Sequence, residues 1–187
     1  MAEAYEVKKK IVLLGDAAVG KTSLIRRFVF DQFDDSYIVT LGAKATVKEM
    51  TVEVEGADRP VRIKFLIYDI LGQKSHIQLT ELYYRGAEGA LLVSDLTRKM
   101  TLPSVADWLA SLNRVVGQVP FVLLANKADL TDEAAYGERE VKEFSKKAGC
   151  SYALTSAKTG QGVEESFQRL AYLVGEQFVK RHKAAEK

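Results

Sequence analysis

The chain has 187 residues, 47% of them apolar and 28% charged, enough for one domain with a real core and little beyond it. Its 27 Lys+Arg against 25 Asp+Glu leave a net charge of +2, too even a balance to point to nucleic acid or a strongly anionic surface. One cysteine, Cys150, and two distant histidines, His76 and His182, exclude an intrachain disulfide and a multi-cysteine zinc site, and argue against a histidine-built metal site. The opening Met-Ala-Glu-Ala-Tyr lacks the layout of a signal peptide, and no apolar run is long enough to span a bilayer. The expectation is a single cytoplasmic domain over residues 1–187 with short flexible tails.

In chain order, Ile11–Leu14 is the first continuous apolar run, as in a strand buried on both faces. It follows Lys8-Lys9-Lys10, read as a solvated strand start, and a helix is expected from about Lys21. Residues 45–55 and 61–68 follow as two β-like stretches joined by Gly56-Ala57-Asp58-Arg59-Pro60, too short a link for a crossover helix. Val61, Ile63, Phe65 and Ile67 alternate with Arg62, Lys64 and Leu66, so this pair reads as a hairpin with one face inward. Ala90–Val93 and Phe121–Leu124 are further buried strands, and Tyr152–Leu154 a shorter one. Between them Val105, Trp108, Leu109, Leu112 and Val115 share a helix face that Gly117 closes. Val163, Phe167, Leu170, Val174 and Phe178 do the same near the end, where Lys180-Arg181-His182-Lys183 suits a helix C-terminus. Strand–helix alternation with one hairpin predicts an α/β fold: a six-stranded mixed sheet with one antiparallel edge strand and about five helices.

Four loops carry chemistry. Gly15-Asp16-Ala17-Ala18-Val19-Gly20-Lys21-Thr22 matches G-x-x-x-x-G-K-[ST] between a strand and a helix, the context that a phosphate-binding P-loop requires. Its glycines let the backbone wrap a phosphate, its amides point inward, and the helix N-terminus adds positive charge. Lys21 is expected at the β- and γ-phosphates and the Thr22 hydroxyl on Mg²⁺. Asp69, ending the second hairpin strand, begins Asp69-Ile70-Leu71-Gly72. It would hold the metal through water, and the Gly72 amide would meet the γ-phosphate. Asn126-Lys127-Ala128-Asp129 follows the strand ending at Ala125. A carboxylate at Asp129 can accept both the N1–H and the 2-amino group of guanine, whereas adenine would leave it buried and unpaired. That mispairing rejects ATP by roughly a thousandfold or more. Asn126 would tie this loop to the P-loop, the Lys127 stem would lie along the base, and Thr155-Ser156-Ala157-Lys158 would offer amides to guanine O6.

The ordered set Gly15–Thr22, Thr40, Asp69–Gly72, Asn126–Asp129 and Ser156–Lys158 resembles the Ras superfamily of small GTPases over nearly the whole chain. Asp35-Ser36-Tyr37-Ile38-Val39-Thr40-Leu41-Gly42, Tyr83-Tyr84-Arg85-Gly86-Ala87 and Ser94-Asp95-Leu96-Thr97 are most similar to the Rab family. The resemblance implies a P-loop NTPase G domain that binds GTP and GDP with Mg²⁺ and hydrolyses GTP slowly unless a partner helps. It implies nucleotide contacts from Asp16, Ala17, Ala18, Val19, Gly20, Lys21, Thr22, Ser23, Phe33, Tyr37, Thr40, Gly72, Asn126, Lys127, Asp129, Ser156, Ala157 and Lys158. Thr40 would bind Mg²⁺ with Thr22 and Asp69 only in the GTP state, Phe33 would stack on guanine, and Gln73 would orient the attacking water. Effector, exchange-factor and activating proteins would read residues 34–42 and 70–84, in membrane trafficking or cytoskeletal signalling.

The chain also departs from that family. Tyr68-Asp69-Ile70-Leu71-Gly72-Gln73-Lys74 stands where the family usually has Trp-Asp-Thr-Ala-Gly-Gln-Glu, which motivates a second reading as a GTP-binding scaffold with little hydrolysis. Ala17 and Ala18 replace smaller or hydroxyl-bearing residues, and the Gly56–Pro60 hairpin is longer than usual. No C-terminal cysteine is available for prenylation and Ala2 stands where myristoylation needs glycine, so no intrinsic membrane anchor is expected; any membrane association would run through partners. A small metabolic P-loop kinase is disfavoured, because no lid or second substrate site is evident.

Overall fold

The chain starts its sheet in the middle. Strand β1 (Tyr5–Leu14) runs parallel to β3 (Val61–Ile70) on one side and to β4 (Ala87–Asp95) on the other. β2 (Ala43–Val52) pairs antiparallel with β3 as the edge strand, and β5 (Phe121–Asn126) and β6 (Ser151–Leu154) extend the other edge in parallel. The order is β2-β3-β1-β4-β5-β6, the mixed six-stranded sheet that the alternation predicts. The computed structural model describes residues 3–33, 43–70 and 82–185. Among these are helices α1 (Lys21–Phe30), α2 (Thr101–Val116), α3 (Glu138–Ala148) and α4 (Val163–Ala185), with a one-turn 3-10 helix at Thr131–Glu133.

The continuous apolar runs are explained by two cores, one on each face of the sheet. Ile11, Leu13, Ile63, Phe65, Leu91 and Val93 face Leu24 and Phe28 of α1 and Phe167, Leu170 and Val174 of α4. Val12, Leu14, Ala90, Leu92 and Leu123 face Val105, Trp108 and Leu112 of α2 and Val141 of α3. Successive strand residues point to opposite faces, so only a run with no polar position satisfies both layers. Phe28 and Phe167 stack at 3.8 Å between centroids, tying the first helix to the last. Cys150 is half-buried against the second core, and burial pushes its thiol up to about 11, as befits a small apolar filler.

Strand lengths differ from the sequence reading because pairing outlasts apolarity. β1 begins at Tyr5, six residues before its apolar run, since Tyr5 to Leu13 pair with Val61 to Asp69. Of the three lysines there Lys8 is exposed and Lys9 and Lys10 are partly buried. Lys9 pairs with Glu88 at 2.6 Å, and the Lys10 ammonium donates to the Arg85 carbonyl and lies 4.3 Å from the Tyr68 ring. The hairpin likewise begins at Ala43 and its first strand ends at Val52. Because β1 sends the chain toward β3 on one side and lies beside β4 on the other, a crevice opens at the carboxyl ends of the strands. That is where ligands of such sheets bind.

Candidate functional site

The loop leaving β1 is shaped by two glycines. Gly15 has φ +147°, and a Cβ there would lie 2.2 Å from the Val93 carbonyl oxygen. Gly20 has φ +103°, and a Cβ there would lie 2.2 Å from Asn126 Nδ2. Neither position admits a side chain, which is the physical content of the two motif glycines. Between them Ala18 takes the left-handed region at φ 61°, a conformation that costs a non-glycine residue on the order of 1 kcal/mol. The loop feeds α1, whose N-cap is Gly20 with no side-chain cap and no acidic residue in the first turn. The first helical bond is from the Leu24 amide to the Gly20 carbonyl. The amides of Lys21, Thr22 and Ser23 thus head a helix whose positive end no carboxylate of its own first turn offsets.

Side chains from elsewhere hold this loop from outside. Asn126 Nδ2 donates to the Val19 carbonyl at 2.9 Å. Ser104 Oγ and Trp108 Nε1, both on α2, donate to Asp16 Oδ1 at 2.7 and 2.8 Å. Arg98 Nη2 donates to the Ala17 carbonyl at 2.8 Å. Lys21 is buried, its ammonium donating to the Gly15 and Asp16 carbonyls at 2.9 Å each. Burial lowers its pKa to about 8, with Asp69 and Asp16 opposing the shift and Arg98 adding to it. A desolvated ammonium curled onto its own loop is a group that an incoming polyphosphate would satisfy.

Beside it, Thr22 Oγ1 donates to Asp69 Oδ2 at 2.5 Å, joining the start of α1 to the end of β3. A hydroxyl and a carboxylate side by side are hard oxygen donors that fit Mg²⁺, which takes one or two protein ligands and leaves the rest to water and phosphate. Among the described residues no cluster of three or more His, Cys, Asp or Glu could hold a metal by itself.

The loops after β5 and β6 meet at the same end of the sheet. Thr155 Oγ1 donates to Asn126 Oδ1 at 3.2 Å, so Asn126 bonds the phosphate loop and the last loop at once. Ser156 Oγ donates to Asp129 Oδ1 at 2.5 Å, and the Ala128 amide donates to the Thr155 carbonyl. Lys127, left-handed at φ 67°, places its ammonium 2.7 Å from Asp95 Oδ2. Arg27 of α1 donates from Nε to the Ala157 carbonyl and from Nη2 to the Lys158 carbonyl, at 2.9 and 2.7 Å. Phe33 packs partly buried against the first core.

The structure thus gathers Asp16 to Ser23, Asp69, Asn126, Lys127, Asp129 and Ser156 to Lys158 around one crevice. Tyr37, Thr40, Gly72 and Gln73 lie outside the described residues, as do Leu71 and Lys74. Sequence reasoning did not single out Arg27 or Arg98, gave Asp95 no role beyond a family-like motif, and took Trp108 only as core. Asp95 is fully buried and accepts from Arg98 Nε, the Thr97 amide and hydroxyl, and Lys127. Burial pushes its carboxyl up, but hydrogen bonds from Lys127, Thr97 and Arg98 outweigh that and hold it below the ordinary value.

The sequence profile of the Ras family matches residues 10–176. The chain is 37% identical over 173 residues to Ras-related protein Rab-13 of Mesocricetus auratus, covering 91% of this chain and 82% of that one. It is 34% identical over 176 residues to Ras-related protein Rab-27B of Rattus norvegicus, covering 91% and 81%. It is 35% identical over 178 residues to Ras-related protein RABA4b of Arabidopsis thaliana, covering 95% and 77%. With the P-loop, the Thr22–Asp69 pair and the Asn126–Asp129 loop converging on one crevice, the chain belongs to the Ras family of small GTPases and is a Rab-like GTP-binding switch.

Proposed function

We propose that this chain hydrolyses GTP and that its two nucleotide states are read by partner proteins through residues 34–42 and 70–84, in membrane trafficking or cytoskeletal signalling. The observation that carries the reading is Asn126, whose amide bonds the phosphate loop while its carbonyl oxygen accepts from Thr155. Base and polyphosphate would then be gripped by one hydrogen-bonded frame. Asp129, its Oδ1 already fixed by Ser156, accepts the two adjacent donors of guanine. Lys21 leaves the Gly15 and Asp16 carbonyls for the β- and γ-phosphates, where its charge offsets charge developing in the transition state. Thr22, Asp69 and Thr40 would hold Mg²⁺, which when bound neutralises phosphate charge.

In this reading Gln73 orients water for in-line attack on the γ-phosphate, and Phe33 and the Lys127 stem flank the base. The contacts of Thr40 and of the Gly72 amide exist only while the γ-phosphate is present. Its departure relaxes the two segments, and that difference is the signal. Unassisted turnover is slow, with an activating partner supplying much of the rate. Among the described residues no helix is long and apolar enough to cross a membrane; in this reading the protein works in the cytoplasm and meets membranes through partners. The test is single-turnover phosphate release from preloaded GTP, with and without candidate activating proteins. Release above the uncatalysed background is expected, and it should fall with Gln73→Leu. No release under either condition rejects hydrolysis and leaves a GTP-binding scaffold.

A further inference from the structure

Arg98 lies between β4 and α2, outside every motif described above, yet its guanidinium reaches two parts of the nucleotide crevice. Nε donates to Asp95 Oδ2 at 2.9 Å and Nη2 to the Ala17 carbonyl at 2.8 Å. Asp95, with no exposed surface, also takes the Lys127 ammonium at 2.7 Å on that same oxygen. The Arg98 charge is felt at Lys21, where it helps lower the ammonium pKa, so it stands close to the phosphate loop's cation as well as to its backbone.

A trans peptide unit is planar, with its carbonyl and its N–H pointing in opposite directions. An arginine that captures the Ala17 carbonyl therefore aims the Ala18 amide to the opposite side of the loop. Ala18 is the residue held left-handed at φ 61°, so this peptide is the one with most to gain from an outside clamp. Asn126 does the same to the next peptide but one, taking the Val19 carbonyl and aiming the Gly20 amide.

We propose that Arg98 is a positioning residue for polyphosphate binding: it turns the Ala17–Ala18 peptide so that the Ala18 amide faces the nucleotide, and Asp95 couples that setting to Lys127 in the base loop. The planar fork of arginine suits this bridge, since one guanidinium meets a carboxylate and a carbonyl at fixed spacing. The inference rests on the guanine-nucleotide reading of the crevice and adds a residue to it.

The experiment compares full-length wild type, Arg98→Ala, Arg98→Lys, Asp95→Asn and the Arg98→Ala/Asp95→Asn double variant. Release rates of fluorescently labelled GDP and competition affinities for GMP are measured, with circular dichroism to check folding. Arg98→Ala should speed GDP release about tenfold, the weight of one charge-assisted hydrogen bond at a part-exposed site. It should leave GMP affinity within about twofold, because GMP carries no β-phosphate for the loop to hold. Arg98→Lys should recover part of the loss, as lysine supplies the cation without the fork. Asp95→Asn should weaken GMP as well, through Lys127, and adding Arg98→Ala to it should cost less than Arg98→Ala alone. Unchanged GDP release in Arg98→Ala overturns the proposal, and so does an equal loss for GMP and GDP, which marks general loosening. A wild-type protein that binds no guanine nucleotide overturns the reading of the crevice instead, and this inference with it.

Discussion

The phosphate loop and the base loop sit at the same end of one sheet but are held by different means. The phosphate loop, Gly15 to Gly20, is gripped from outside, its side chain or carbonyls taken by Ser104, Trp108, Arg98 and Asn126. Of the two base loops, after β5 and β6, the one after β6 is largely held by its own backbone. The Ser156 amide donates to the Gln161 carbonyl, the Gly160 amide to the Ser156 carbonyl, and the Thr159 amide to Ser156 Oγ. A strained loop with a left-handed alanine needs outside support to stay open, whereas a self-bonded turn keeps its shape and needs only docking. Base choice should therefore be separable from phosphate binding by mutation.

The largest expected effect breaks the base side alone. Asp129→Asn replaces an acceptor pair by one acceptor and one donor group, so guanine's 2-amino group or N1–H meets a donor. GTP affinity should fall by roughly a thousandfold while xanthosine triphosphate, with a carbonyl in place of the 2-amino group, gains binding. Competition binding with the two nucleotides checks this. Retained GTP affinity would remove Asp129 from base recognition, and loss of both nucleotides would show that the two loops are not separable.

Arg27 should have a smaller effect. From α1 its side chain bonds two successive carbonyls of the loop after β6, and that side chain is only 19% exposed. Arg27→Ala should speed GDP release about five- to tenfold, as expected for two modest hydrogen bonds. The loss should appear equally for GMP, in contrast to Arg98→Ala. Stopped-flow release of labelled GDP beside GMP competition tests it, and a loss confined to GDP would place Arg27 on the phosphate side.

The contrast between the loops also governs what could be read from residues alone. The phosphate loop is legible because its geometry demands particular residues: a Cβ at Gly15 or Gly20 meets another atom at 2.2 Å. The proposed guanine loops are legible because the chemistry of that base would call for a carboxylate such as Asp129. Two-faced strands such as Ile11–Leu14 and Leu91–Val93 announce themselves by lacking any polar position. Arg27 and Arg98 do not, for an arginine at a helix end or in a turn looks like any solvated cation. Their partners lie 130 and 81 positions away in sequence. The start of β1 was hidden for a related reason, since Glu6, Lys8 and Lys9 become strand only by pairing with β3.

Lys21 supplies the smallest effect and the most direct reading of the phosphate side. Its ammonium is buried, and burial lowers its pKa to about 8 from an ordinary 10.5. The unfolded chain then binds more protons than the folded one between those values. This group's contribution to folding stability accordingly rises as pH climbs from about 8 to 10.5, and below that window the buried charge is a cost. A polyphosphate beside the ammonium favours its charged form and returns the pKa upward. GDP binding should therefore draw in more proton at Lys21 at pH 8 than at pH 7. Calorimetry in buffers of differing ionisation enthalpy reads the uptake directly. Lys21→Met, compared at concentrations that saturate the weakened site, should abolish the difference between the two pH values. The same uptake in that variant would place the proton elsewhere and leave Lys21 bonded to its own loop when nucleotide is bound.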